Sequence, residues 1–158
     1  MRTIRQRRLK GKTDYKARFG FLKSEKPRFV VRKTNRYILV QLVQSDIAQD
    51  KVLFGISSKI LLSKGWPEKL SGSLKSLSAA YLTGFHAANI ALKQDVKEAI
   101  FDFGMHRNIH KSRIYSVIKG ALDAGLKISC SEEVLPSDEE ISKSDKLKPL
   151  IEKIKSNL

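Results

Sequence analysis

Only one cysteine, Cys130, occurs among the 158 residues. A lone thiol cannot staple the chain to itself, which excludes a disulfide scaffold and suits a reducing compartment, so a cytoplasmic protein is expected. Long apolar runs are also missing. No stretch approaches the ~18 consecutive apolar residues that span a bilayer. The N-terminal MRTIRQRRLKGK has charge without an apolar segment behind it, so no secretory signal is expected. Acidic residues are few: 16 Asp and Glu against 31 Lys and Arg leave a net charge of +15. What is there suffices for one modest core. Hydrophobic residues make up 41% of the chain, and its length fits a single domain of the usual ~100–200 residues.

The positive charge is unevenly placed. Met1 to Arg36 holds 14 basic and 2 acidic residues, Tyr37 to Cys130 holds 12 and 7, and Ser131 to Leu158 holds 5 and 7. Such a cluster repels itself unless a polyanion neutralises it, which points to nucleic acid or an anionic membrane. A membrane-surface helix needs an amphipathic period, which the glycines, Pro27 and the scattered apolar residues of this segment do not supply. Ile4, Leu9, Tyr15, Phe19, Phe21 and Leu22 are interleaved with Arg and Lys. Basic side chains bind phosphates and aromatics stack on exposed bases, so residues 1–26 read as a basic extension that orders on its partner. The competing expectation is that Phe19, Phe21 and Leu22 pack on the core. Charge alone assigns Arg5, Arg7, Arg8, Lys10 and Lys12 to RNA.

Arg28–Lys33 and Tyr37–Ser45 alternate as strands around the turn Thr34-Asn35-Arg36, and a polar connector, Asp46–Lys51, leads to a third strand, Val52–Ser57. A short helix is predicted at Lys59–Lys64, followed by breakers at Gly65, Pro67 and Gly72. Helices are predicted at Ser78–Leu92 and Ser112–Ala124, on either side of an apolar strand, Ala99–Phe103. Lys148–Leu158 reads as an amphipathic helix through Leu147, Leu150, Ile151, Ile154 and Leu158. The order implies an α/β single domain. Its mixed sheet combines an antiparallel three-stranded meander with a parallel strand, covered by packed helices. The expected divisions are a basic extension (1–26), an α/β core (27–130) and an acidic tail with a short helix (131–158).

Catalytic patterns are thin. His106 and His110 have a metal-like spacing, but they follow Gly104 in a loop with no Glu or Cys to complete a ligand set. His86 reads as a packed helix histidine, Cys130 has no partnering histidine nearby, and Lys119-Gly120 lacks a phosphate loop's glycines. Asp102, with Asp46, Asp50, Asp95 and Asp123 near the sheet ends, raises a two-metal nuclease. The plainer expectation pairs Asp102 with Arg107 or Arg113. The loop after Gly104 suits RNA instead, offering Arg107, Lys111 and Arg113; Arg28 and Arg32 share one strand face, with Lys33 and Arg36 at the turn.

Four blocks now carry a resemblance: TDYKARFGFLKSEKPRFVVRKTNRYILVQ, SAAYLTGFHAA, EAIFDFGMHR and SRIYSVIKGALDAGLKISCSEE. In this order and spacing, from about Thr13 to Glu140, they resemble the universal large-subunit ribosomal protein eighteen family in its archaeal form. The eukaryotic member is ribosomal protein L five. The resemblance implies a core of ribonuclease-H-like topology without that fold's catalytic acids, and a structural role with no enzymatic activity, metal or cofactor. It further implies binding of 5S rRNA in the central protuberance, beside 23S rRNA and neighbouring large-subunit proteins and away from membranes. Matching positions assign Tyr15, Arg18, Lys26, Arg28, Arg32, Asn35, Arg36, Arg107 and Arg113 to RNA. The family often has histidine where Cys130 stands, and Asp46–Ser57 and Leu62–Leu77 match loosely. The alternatives are a metal-dependent nuclease of ribonuclease-H-like fold and a general basic RNA-binding protein.

Overall fold

A computed structural model describes residues 5–46, 49–142 and 148–158 of the chain. The predicted hairpin forms: β1 (Arg28–Lys33) pairs antiparallel with β2 (Ile38–Asp46). Thr34 closes its turn, the backbone N–H and the hydroxyl both donating to the Tyr37 carbonyl, at 2.9 and 2.8 Å. β3 (Gln49–Ser57) pairs antiparallel with β2. The expected polar connector over Asp46–Lys51 is thus largely strand, with Gln44, Ser45 and Asp46 opposite Lys51, Asp50 and Gln49. These hairpin ends are mostly solvent-exposed, so no apolar alternation marks them. Residues 47 and 48 lie outside the described residues, as do Ile4 and Leu147.

β4 (Glu98–Asp102) adds to β1 in parallel, and the short β5 (Lys127–Ile128) adds to β4 in parallel. The mixed sheet has the order β3-β2-β1-β4-β5. Phe29, Val31, Ile38, Val40 and Leu42 leave one sheet face for a core completed by two helices. These are α3 (Leu77–Lys93) and α4 (Arg113–Asp123), within a residue or two of their predicted bounds. Ser76 caps α3, its hydroxyl accepting from the Ala79 N–H at 3.3 Å.

Glycine sets how closely the helices approach. A Cβ on Gly84 would lie 2.0 Å from the Val117 carbonyl oxygen, and one on Gly120 would lie 2.1 Å from that of Tyr81. Backbone therefore meets backbone where α3 crosses α4, leaving no room for a methyl group. The other side of α3 supports a second cluster: Leu61, Trp66 and Leu74 with Tyr81 and Leu82. Ile141 of α5 (Asp138–Ser142) and Ile151 and Ile154 of α6 (Lys148–Ser156) complete it. The C-terminal helix is amphipathic as predicted, and its apolar face is bound rather than free.

The N-terminal segment is helical at two places among its described residues. It holds α1 (Gln6–Leu9) and α2 (Tyr15–Lys23). Asp14 starts α2, its carboxylate accepting from the Lys16 and Ala17 N–H groups at 2.9 and 3.1 Å. Nothing in α2 is fully buried: Phe21 and Leu22 are half-buried and Phe19 is 70% exposed.

Gly84→Ala should destabilise the fold by about 3 kcal/mol, because a methyl group must push two helix backbones apart. Urea unfolding followed by circular dichroism measures this, and Gly72→Ala, which meets nothing within 4 Å, is the matched control.

Candidate nucleic-acid interface

Side chains alternate across a strand, so Phe29 and Val31 pointing to the core place Arg28, Val30 and Arg32 on the opposite face. Asp102 of β4 stands directly beside Val30, midway between the two arginines. Both reach it. Arg28 Nη1 donates to Asp102 Oδ2 at 3.0 Å, and Arg32 Nη2 to Oδ1 at 3.0 Å. Arg32 Nη1 also donates to the Asp102 carbonyl at 2.7 Å. The Asp102 and Arg28 side chains are only 5% and 8% exposed, so this is a buried pair, and losing either partner would strand a charge.

The expected pairing of Asp102 with Arg107 or Arg113 is therefore corrected. Parallel pairing of β4 with β1 brings Arg28 and Arg32 alongside, and no local spacing in the sequence encodes that register. Arg28 has a second partner, with Nη2 2.8 Å from Asp50 Oδ2. Asp50 also accepts from both Arg18 Nη atoms at 3.0 and 3.2 Å and from the Ser45 hydroxyl at 2.8 Å. Partial burial by itself would raise the Asp50 carboxyl. The hydrogen bonds from Arg18, Ser45 and Arg28 outweigh it and hold the group at about 2. Arg18 thereby ties α2 to the outer sheet face.

The same aspartate shapes the next loop. The Gly104 N–H donates to Asp102 Oδ1 at 2.8 Å, and Gly104 has a φ of +62° with the Arg32 guanidinium against its Cα. One turn on, His106 Nε2 accepts from the Lys33 N–H at 3.1 Å, which requires a neutral ring. Desolvation, then the charges of Arg32 and Lys33, lower its pKa and keep it neutral. The loop is thus fastened to the end of β1, where Lys33, Arg107, Lys111 and Arg113 line one groove of about 410 Å³ beside the starts of α3 and α4. Among the described residues, no acidic side chain lines it. Lys111 has a left-handed backbone (φ 55°), held by its N–H donating to the Val134 carbonyl at 2.9 Å.

The other predicted residues are dispersed. Arg5 lies 4.5 Å over the ring of Tyr15, and Arg7 Nε donates to the Thr13 hydroxyl at 2.9 Å. Arg8, Lys10, Lys12 and Arg36 are exposed. Lys26 pairs with Glu98 at 2.8 Å, and the Asn35 carbonyl accepts from Lys75 Nζ at 2.8 Å. Sequence reading missed Asp50, Asp102, Gly104 and His106 as the groups that fix this surface. Two arginines four apart on one strand face hint at an acid between them, but nothing local names it.

Fold and surface together define a class: an α/β protein with a cationic face and, among the described residues, no cluster of His, Cys, Asp and Glu arranged to hold a metal. The chain belongs to the family of ribosomal large subunit proteins 60S L5 and 50S L18, whose model matches residues 1–98. It is 44% identical over 137 residues to a protein of Aeropyrum pernix named large ribosomal subunit protein uL18, covering 86% of this chain and 62% of that one. The Korarchaeum cryptofilum protein of the same name is 48% identical over 136 residues, covering 86% and 68%. The Thermofilum pendens protein is 43% identical over 136 residues, covering 86% and 67%. The chain thus spans under two thirds of the Aeropyrum protein and about two thirds of the others.

Asp102→Asn should lower stability by about 3 kcal/mol, since Arg28 and Arg32 lose their shared buried charge. Asp50 adds an acid-sensitive part. Its folded pKa of about 2 lies below the ordinary 3.8, so its contribution is complete above about pH 4 and lost as pH falls through about 2. Denaturation melts between pH 2 and pH 5 should show that loss in the wild type and a flatter profile in Asp50→Asn.

Proposed function

We propose that this protein is a structural, non-catalytic constituent of the large ribosomal subunit that binds 5S rRNA and helps attach it to 23S rRNA in the central protuberance. Neighbouring large-subunit proteins complete its setting in the cytoplasmic ribosome. The observation that carries this reading is the groove beside β1, lined by Lys33, Arg107, Lys111 and Arg113 and by no acidic side chain among the described residues, in a chain of ribosomal family. Phosphate neutralisation supplies affinity, and a fixed arrangement of cations on a rigid sheet supplies recognition of RNA shape.

The strand order β3-β2-β1-β4-β5, with β1 antiparallel to β2 and parallel to β4, supports a ribonuclease-H-like topology. Its use for cleavage is disfavoured by the chemistry of the acids. Arg28 sits between Asp50 and Asp102 and, together with Arg18 and Arg32, neutralises both, where a nuclease would need those carboxylates for metal ions. Residues 1–26 act as a basic extension, attached through Arg18 and free to offer Arg8, Lys10 and Lys12. Residues 27–130 form the core, and 131–158 an acidic tail whose helices lean on that core. No helix among the described residues is long and apolar enough to cross a membrane.

Gel-shift titration against 5S rRNA and a base-scrambled RNA of equal length, across a salt series, tests the reading. Affinity for both should fall with salt, and a preference of at least about tenfold for 5S rRNA should persist. Equal binding that collapses together would leave a general basic RNA-binding protein.

A further inference from the structure

β1 outruns its parallel partner. The pairing with β4 ends where Asp102 stands beside Val30, while β1 continues to Lys33. On that last stretch, side chains take the place of the missing strand. Arg32 Nη1 donates to the Val31 carbonyl at 2.9 Å, and the Lys33 N–H donates to His106 Nε2 at 3.1 Å. His106 lies in the loop between β4 and α4, and its own backbone N–H closes a turn on the Phe103 carbonyl at 3.4 Å. A turn residue thus completes a sheet edge, and one imidazole nitrogen sets the loop against the end of β1.

That nitrogen accepts only while it carries no proton. Protonation would set an N–H against an N–H, so the bond would be lost outright rather than weakened. The surroundings do not compensate a charged ring. β1 contributes the cations Arg32 and Lys33. Arg107, Lys111 and Arg113, from the loop and the start of α4, line the same groove. The start of α3 adds only Ser76, Leu77 and Ser78. The Asp102 carboxylate of β4 is already taken by Arg28, Arg32 and the Gly104 N–H. Desolvation first, then the charges of Arg32 and Lys33, lower the His106 pKa from its ordinary 6.5. A released ring returns to that ordinary value. The closed loop therefore has its full advantage above about pH 6.5 and loses it as pH falls.

We infer that His106 is a positioning residue: as a neutral acceptor it latches the loop between β4 and α4, and Arg107 with it, to the end of β1, and its protonation opens the latch. The rest of the sheet is joined by backbone hydrogen bonds, which do not titrate, so the release is local. The positioning role rests on the RNA-binding reading, whereas the latch is a property of the free protein.

Amide hydrogen exchange of Lys33, followed by NMR in the full chain between pH 5 and pH 7.5 and corrected for the intrinsic exchange rate, tests the latch. Protection of Lys33 should fall by up to about tenfold per pH unit below about 6.5, while amides within α3 keep theirs. His106→Gln presents a carbonyl acceptor that does not titrate, and should make Lys33 protection independent of pH. His106→Leu should abolish that protection throughout. Equal protection of Lys33 at pH 5 and pH 7.5 in the wild type overturns the latch, whether or not the variants fold. Wild-type protection in His106→Leu overturns it as well. Affinity for 5S rRNA in the wild type relative to His106→Gln reads the positioning role, because every other charge is common to both. That ratio should fall about threefold from pH 7.5 to pH 5.5, the cost of ordering a freed side chain again on binding. A ratio that stays constant or rises while the latch opens overturns the positioning role. If the wild type does not distinguish 5S rRNA from scrambled RNA, the 5S reading fails, and the exchange profile still decides the latch.

Discussion

Asp102 is the group on which the functional surface depends. In a chain of net charge +15, one buried carboxylate holds two arginines of β1, accepts from the Gly104 amide, and so fixes where the next loop begins. Two strand residues four apart stand about 13 Å from each other. Only a long side chain from each can meet on an acid placed midway, and the parallel register of β4 places Asp102 there. Arg28 continues to Asp50, and Asp50 to Arg18, so a line of alternating charge runs from the sheet to α2. This internal pairing separates the arginines that build the surface from the cations left to a partner.

The helices set the other side of the groove. Gly84 and Gly120 let α3 and α4 approach backbone to backbone, which fixes the starts of both helices with respect to the sheet. The loop between β4 and α4 is held at one end by Asp102 and at its middle by His106 on Lys33. At its far end the Lys111 amide is held by the Val134 carbonyl. Arg107 and Arg113 therefore project from a braced segment. Cations on a braced segment lose little conformational freedom when a phosphate engages them, which favours recognition over general adhesion.

Much of the fold is legible in local pattern. Alternation marks β1 and β2, serines mark the starts of α3 and α4, and the period of Leu150, Ile151 and Ile154 marks α6. What escapes is non-local. The hairpin ends around Asp50 have no apolar signal because their side chains are exposed, and the attachment of α2 to the sheet through Arg18 depends on that distant acid. Cationic residues are easy to list from a sequence, but the acids that occupy some of them are not. Arg28, Arg32, Arg107 and Arg113 look alike in the chain. Only the register of β4 against β1 shows that the first two hold Asp102 while the last two face the groove.

Ultraviolet cross-linking of the full chain to 5S rRNA, with the cross-linked peptides identified by mass spectrometry, tests most directly whether RNA meets the cations that the fold leaves unpaired. The account predicts cross-links in the segments Lys33–Arg36 and Arg107–Arg113, alongside those of the N-terminal extension. Cross-links confined to Lys59–Lys69 and to α6, with none in either groove segment, would contradict it.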